Sequence, residues 1–175
     1  ERIFKAYYSS CCGGRSQSAY DAFGDDYILP LSEQDRGKTC SISPRFNWGP
    51  VVIRKDELTR RMVAWAKRKS EQQGTPRPEL KMAGVARIDQ AFLNKIQRPV
   101  LFYVTDTAGT RFLMRAEELR SAIASDANGG PTVYSGNFNT INETGSIRFI
   151  DGHGFGHGIG LCQWCAQRLA QSGYR

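Results

Sequence analysis

Histidine is scarce in this sequence, and long apolar segments are absent from it. The only two histidines are His153 and His157. The longest apolar strings, such as residues 100–104, fall far below the roughly 20 residues that a membrane-spanning helix needs. The chain also has no internal repeat and no basic stripe interleaved with aromatic residues, a pattern typical of single-strand nucleic-acid binding. These absences argue against a transmembrane segment and make nucleic acid the weakest candidate partner.

The two ends of the chain indicate a fragment. No signal peptide is recognisable. Glu1 falls inside a predicted strand, and residues 172–175 stop where a turn should lead onward. We therefore expect residues 1–175 to form one domain that is truncated at both ends, so the missing signal peptide says little about the compartment.

The charge balance is basic. The net charge is +7, and the isoelectric point is about 9.3. A solvated basic surface explains this balance, and so does attraction to a polyanion such as a cell-wall polymer or a membrane surface.

Hydrophobic periodicity predicts a mixed α+β domain, rich in strands, with a few helices and a long N-terminal loop region over residues 9–50. Strands are predicted over 2–8, 82–88, 100–105, 111–115, 132–137 and 146–150. Helices are predicted over 56–73, 116–125 and 162–171. Trp65 lies on the apolar stripe of the first helix and is expected in the core.

The last quarter of the chain is the most distinctive. Residues 152–166 read GHGFGHGIGLCQWCA, with a glycine at every second position up to residue 160. Glycine permits positive φ and leaves room for a close approach to the backbone. Because such a loop leads into a helix, whose first N–H groups lack partners, the pattern is typical of a binding site.

Five cysteines fall in two groups, which suggests a shared site. They are Cys11, Cys12, Cys40, Cys162 and Cys165. An odd number leaves at least one unpaired within the chain.

Several segments together resemble one bacterial family. The glycine-rich run resembles the GxGHGxGxxQxxA signature of the SpoIID/LytB family, which comprises the stage II sporulation protein D and amidase-enhancer domains. Residues 8–14, YSSCCGG, are similar to its YHSTCGG element, and residues 40–44 with Trp48 resemble its Cys-x-x-Ser-Pro…Trp element. Residues 117–120 and 135–138 also fit the family order, so the resemblance covers nearly the whole chain.

The resemblance implies an extracytoplasmic protein of the cell envelope, periplasm or secreted fraction. Its substrate would be peptidoglycan glycan strands, cleaved as by a lytic transglycosylase between N-acetylmuramic acid and N-acetylglucosamine, with no cofactor required. The family's catalytic glutamate sits upstream of the YHSTCGG element, so no catalytic residue is assigned here. Asp151 is the nearest carboxylate to the glycine-rich run, and it is expected to be a turn or cap residue.

The resemblance and the residue chemistry suggest a substrate-binding set. Amide and aromatic side chains suit sugar hydroxyls and sugar faces, and the glycines and Ser10 would line the floor. The set is Tyr8, Ser10, Gly13, Gly14, His153, Gly156, His157, Gly158, Gln163 and Trp164. For His157, an equally weighted alternative is a buried ring whose nitrogens both bond to backbone.

The cysteines leave several interpretations open. The resemblance implies that Cys12 and Cys40 form a disulfide or help to bind zinc. Tyr8 stands where the family commonly has histidine, which removes one potential metal ligand. Cys162 and Cys165, where the family commonly has serine and glycine, form a CxxC. The pair could be a redox pair, part of a structural Zn–Cys₄ site, small buried residues, or disulfide partners of Cys11 or Cys12. Redox catalysis is disfavoured because the βαβ context of thioredoxin-like proteins is missing. Between zinc and additional disulfides, we slightly favour disulfides, because two loop elements must be held together.

Two other functions remain open at this point. The chain could be a non-catalytic wall-binding module that stimulates a cell-wall amidase. It could instead be a structural domain, held by disulfides or zinc, whose glycine-rich run only packs. A zinc hydrolase is disfavoured because the glutamate of an HExxH motif is absent.

Overall fold

A computed structural model describes residues 5–174. Within this range the chain is a mixed α+β single domain, as the sequence predicts, and its four helices and ten strands contribute nearly equal shares of residues. The helices are α1 (Ala19–Phe23), α2 (Lys55–Gln73), α3 (Ala116–Ala124) and α4 (Gln163–Gln171). The strands are β1 (Tyr8–Ser9), β2 (Asn47–Trp48), β3 (Val51–Arg54), β4 (Val85–Leu93), β5 (Pro99–Asp106), β6 (Arg111–Arg115), β7 (Asn139–Asn142), β8 (Ser146–Ile150), β9 (Gly152–His153) and β10 (Leu161–Cys162).

Four small sheets form the domain. β4, β5 and β6 make an antiparallel sheet, and β3, β8 and β7 make a second one. Side chains of β7 join the two sheets, because Ile88 N donates to Asn142 Oδ1 at 2.8 Å and Thr140 Oγ1 donates to Ile88 O at 2.7 Å. The other two sheets are pairs: β1 runs parallel to β10, and β2 runs antiparallel to β9.

The apolar core lies between the helices α2 and α3 and the two three-stranded sheets. Leu58, Met62 and Trp65 recur at helical spacing on one face of α2 and are buried. The rings of Phe102 and Phe138 pack inside the core at a tilt of 30°, with centroids 5.0 Å apart. Burial of Trp65 confirms the prediction from the sequence.

Several predicted elements agree with the structure. The predicted helices match α2, α3 and α4 to within one residue at each end, and the strand over 111–115 matches β6. Gly74 ends α2 in the left-handed conformation, with φ of 66°. The predicted strand over 82–88 begins three residues later in the structure and extends to Leu93.

Two predicted strands and one predicted loop need correction. Residues 132–137 form no strand, because Ser135 Oγ bonds to Asn137 N and His153 O, which ties this segment to the glycine-rich run. In the predicted strand over 2–8, residues 1–4 lie outside the described part of the chain, and of the rest only Tyr8 is in a strand. The predicted loop over 9–50 contains α1, which begins after the capping residue Ser18.

Among residues 5–174, no helix combines the length and the apolar character that crossing a bilayer demands.

Candidate functional site

The glycine-rich loop, residues 152–160, packs against other parts of the chain. A Cβ atom on Gly160 would lie 2.3 Å from Tyr7 O, and one on Gly154 would lie 2.6 Å from Cys11 O. A Cβ atom on Gly158 would lie 2.7 Å from the Arg98 guanidinium. The sequence predicted a loop that a ligand approaches closely; at these positions the close neighbours are protein atoms.

Backbone bonds fasten this loop to the N-terminal segment. Cys11 N donates to Phe155 O at 3.0 Å, and Phe155 N donates back to Cys11 O at 2.8 Å. Trp164 N donates to Ser10 O at 3.2 Å. The YSSCCGG element and the glycine-rich run therefore form one unit, although they lie at opposite ends of the sequence.

Four buried cysteines gather behind this unit. The sulfur atoms of Cys12, Cys40, Cys162 and Cys165 all lie within 4.8 Å of one another. The Cys12–Cys40 and Cys12–Cys165 sulfur distances are 3.6 Å and 3.8 Å, well beyond the roughly 2.05 Å of a disulfide bond. All five cysteines are free thiols here, so these four, which we call the cysteine cluster, form a group able to bind a metal.

The surroundings of Cys162 favour its thiolate form. Its sulfur accepts backbone N–H bonds from Cys12 at 3.3 Å and from Cys165 at 3.4 Å, the latter at the start of α4. Hydrogen bonds from the thiols of Cys11 and Cys12 lower the pKa of Cys162 far below its ordinary range. Cys11 is also buried, but it lies outside the cluster.

Arg98 is a functional residue that the sequence analysis missed. It is fully buried and donates to the backbone oxygens of Cys12, Arg15 and His157, at 3.0 Å to Cys12 O and 3.2 Å to His157 O. Desolvation lowers the pKa of Arg98, and the nearby charge of Glu117 opposes this effect. One buried cation therefore joins the N-terminal segment to the glycine-rich loop beside the cysteine cluster.

His157 is held by packing and backbone. Its ring lies 5.5 Å from the Phe23 ring and 5.8 Å from the Tyr7 ring, and Ile159 N donates to its Nδ1 at 3.1 Å. Burial lowers the pKa of His157. The ring is half-buried and its Nδ1 bonds to backbone, which agrees at that nitrogen with the alternative of a buried ring.

His153 borders two surface depressions. Its Nδ1 lies 2.8 Å from Asn47 Oδ1. Desolvation is the main cause that lowers the pKa of His153, and the positive charge of Arg15 adds to this effect. One depression, of about 290 Å³, is lined by Gly13 and Gly14 together with cationic side chains. The other, of about 710 Å³, includes Asp151, whose φ of 48° and bond from Asn139 Nδ2 identify it as a turn residue.

A separate depression lies on α4. It has a volume of about 370 Å³ and is lined by Gln163, Trp164, Gln167 and Gln171, which we call the glutamine face. Tyr8 lies near this depression, because it pairs with Leu161 just before the helix begins, and its side chain is exposed.

The predicted substrate-binding residues thus fall into two surface groups and a third group that packs against other parts of the chain. Gly13, Gly14 and His153 line one cavity, and Gln163 and Trp164 line another, with Tyr8 and Ser10 adjoining the latter. Gly156, His157 and Gly158 mainly contact Ser9, the Tyr7–Phe23 rings and Arg98.

No family model matches this chain, and no curated protein matches it either.

Proposed function

We propose that this chain is a bacterial peptidoglycan-binding domain of the SpoIID/LytB type that holds glycan strands for lytic cleavage. The observation that carries the proposal is the glutamine face, where Trp164 lies among three glutamine side chains. Sugar rings present apolar C–H faces and many hydroxyl groups, so an aromatic ring beside neutral amides suits them.

The spacing on α4 explains how one face collects these amides. Gln163, Gln167 and Gln171 are four residues apart along the helix, and residues at this spacing lie on the same side. All three are exposed. Each amide offers two donors and one acceptor, which fits the hydroxyl and N-acetyl groups of a glycan better than it fits a charged ligand.

Cleavage between N-acetylmuramic acid and N-acetylglucosamine needs a carboxylic acid at the scissile oxygen. Asp151 sits in a turn and bonds to Asn139, so we do not assign it this role. In this proposal the described residues bind glycan, and none of them is assigned as the catalytic acid. It also implies an extracytoplasmic location.

The test is glycan binding by a double variant, Gln163→Ala with Gln167→Ala. We expect its Kd for tetrameric N-acetylglucosamine, measured by calorimetry, to rise about tenfold, which corresponds to about 1.4 kcal/mol. Gln72→Ala, an exposed glutamine on α2, is the matched control and should bind as the parent does. Equal affinities of the double variant and the parent would overturn the proposal.

A parallel assay on purified peptidoglycan separates cleavage from binding. Release of anhydromuropeptides would show that the 175 residues carry their own acid. Binding without release would favour the alternative of a wall-binding module that stimulates an amidase partner.

We also propose that the cysteine cluster holds a structural zinc ion, which is the second candidate function. In a tetrahedral tetrathiolate site with Zn–S bonds of about 2.3 Å, neighbouring sulfur atoms lie about 3.8 Å apart. The Cys12–Cys40 and Cys12–Cys165 distances of 3.6 Å and 3.8 Å are close to this value. Four thiolates around Zn²⁺ carry a net charge of −2, and the buried Arg98 supplies a compensating positive charge.

Metal analysis tests this second proposal. We expect one zinc per chain in the purified protein and loss of that zinc in a Cys40→Ser variant. Cys11→Ser is the matched control, because Cys11 is buried next to the cluster without belonging to it. Mass spectrometry that finds disulfides among the four cysteines would overturn the proposal.

A further inference from the structure

The smaller cavity beside His153 has a positive lining. Two side chains on its wall, Arg15 and Lys38, are cationic, and one, Asp35, is a carboxylate. Asp35 Oδ1 already accepts the Gly37 N–H at 2.8 Å. The cavity therefore carries an excess of positive charge at its rim.

An unpartnered amide lies in the wall of the same cavity. Asn137 is only 4% exposed, and its Nδ2 has no hydrogen-bond partner among the described residues. Its backbone is fixed at both ends, because Ser135 Oγ accepts the Asn137 N–H at 3.1 Å and Asn137 O accepts the His153 N–H at 2.9 Å. Leaving a buried amide nitrogen unpaired is unfavourable. Because Nδ2 is shielded from solvent, a half-turn of the amide group must present it to the cavity before a ligand oxygen can supply the missing acceptor.

The ring of His153 is oriented by its neighbour. Because an amide oxygen only accepts, the contact between Asn47 Oδ1 and His153 Nδ1 assigns the proton to Nδ1. In the neutral ring Nε2 is then the acceptor, and protonation converts Nε2 into a donor. His153 can thus add a third positive group to the cavity wall.

We propose that this cavity binds a carboxylate group of the glycan substrate, with Asn137 as a hydrogen-bond donor and with Arg15 and Lys38 as charge partners. The inference rests on the proposed glycan-binding function, and it assigns the charged part of the substrate to a place separate from the glutamine face. A carboxylate is small enough for about 290 Å³. It offers acceptor oxygens to Asn137, to Lys38 and to the guanidinium of Arg15, whose Nη1 also donates to Gln97 O at 2.9 Å.

The two histidines allow a direct test by NMR. We would titrate the protein with N-acetylmuramic acid, which bears a lactyl carboxylate, and with N-acetylglucosamine, which lacks it. We expect the His153 ring signals to shift, and the pKa of His153 to rise, with the acid alone. His157 serves as the internal reference because it contacts Tyr7 and Phe23 and does not line this cavity.

Variants test the individual groups. Asn137→Asp keeps the shape of the side chain but replaces donors with a negative charge, so the Kd for N-acetylmuramic acid should rise at least about tenfold. Lys38→Gln should raise it by about two- to fivefold, while Lys67→Gln, an exposed lysine on α2, should leave it unchanged. Circular dichroism and Tm would confirm that each variant is folded.

Two sources of the carboxylate are distinguished by one further ligand. In N-acetylmuramoyl-L-alanyl-D-isoglutamine, the lactyl carboxylate is converted to an amide and the free carboxylate belongs to the peptide. Tighter binding of N-acetylmuramic acid assigns the site to glycan without peptide stems, and tighter binding of the dipeptide assigns it to the stem.

The same ligands test the carboxylate site and the glutamine face separately. If tetrameric N-acetylglucosamine binds through the glutamine face but the lactyl group adds no affinity and leaves His153 unmoved, the carboxylate site is wrong and glycan binding stands. If that tetramer does not bind while N-acetylmuramic acid still shifts His153, the carboxylate site stands and the glutamine face is wrong.

Discussion

Two regions of this domain are stabilised by different interactions. Around α2, α3 and the three-stranded sheets, large apolar side chains such as Phe102, Met114 and Leu119 are fully buried against one another. Around the glycine-rich loop, the buried groups are the cysteine cluster, Arg98, backbone atoms at glycine positions and a small apolar cluster that includes Ile159. The first region depends on apolar area, whereas the second depends on a few specific contacts and backbone conformations. Damage to one region should therefore leave the other largely intact.

Metal removal should give the largest effect and should be confined to the second region. Chelation of the proposed zinc, or Cys40→Ser, would remove binding energy on the order of 10 kcal/mol, as in small zinc domains. We expect hydrogen exchange to accelerate in residues 7–14 and 152–165. The amides of β5 should keep their protection. Equal loss of protection in both regions would show that they do not behave separately.

A cavity in the apolar core should have the next largest effect. Phe102→Ala removes a fully buried ring and should lower the free energy of unfolding by about 3–5 kcal/mol, measured by urea denaturation. Zinc content should stay at one per chain. Val52→Ala, at an exposed position of β3, is the control and should change stability by less than about 0.5 kcal/mol.

Glycine substitutions should then rank according to the contacts of the new Cβ atom. Gly160→Ala combines a φ of 67° with a contact of 2.3 Å to Tyr7 O, so we expect a loss of roughly 2–4 kcal/mol. Gly74→Ala has a φ of 66° but open space, and should cost about 1 kcal/mol. Gly145→Ala has neither feature and should be nearly neutral. Thermal unfolding that gave equal losses for the three would contradict this ranking.

The smallest effect should come from histidine protonation. Burial lowers the pKa of both His153 and His157 below the ordinary value of 6.5. The unfolded chain then takes up protons before the folded chain does as the pH falls. The stability contributed by the neutral rings is present above about pH 6.5 and is lost as the pH falls through the lower folded values. NMR titration of the two rings checks this: a midpoint above 6.5 for either ring in the ligand-free protein would contradict it.

The sequence predicts the apolar region better than the site. The positions of α2, α3 and β6 follow from periodicity because packing of apolar side chains determines those elements. The prediction of a strand over 132–137 is wrong because polar side chains such as Ser135 bond to the glycine-rich loop. The local sequence pattern does not indicate that contact. The short pairing of β2 with β9 is equally invisible in local sequence.

The site shows the same division. The clustering of cysteines in two motif segments predicted a shared site, and four of them do meet. Arg98 and Asn137 were missed because their importance depends on burial, which only tertiary structure reveals. Among residues 5–174, Arg98 makes no ion pair and Asn137 Nδ2 has no hydrogen-bond partner. The alternation of glycines indicated close approach correctly, but it could not indicate that the approaching groups were Tyr7, Cys11 and Arg98.

The cysteine cluster also has a consequence for the order in which the protein matures. Cys12 and Cys165 are 153 positions apart in the sequence, so this group cannot form until synthesis has passed residue 165. The contacts of α2, β4, β5 and β6 span much shorter separations and can form earlier on the ribosome. Metal capture would then follow the folding of these elements, and a bound ion would mark a chain in which segments far apart in the sequence have been brought together correctly.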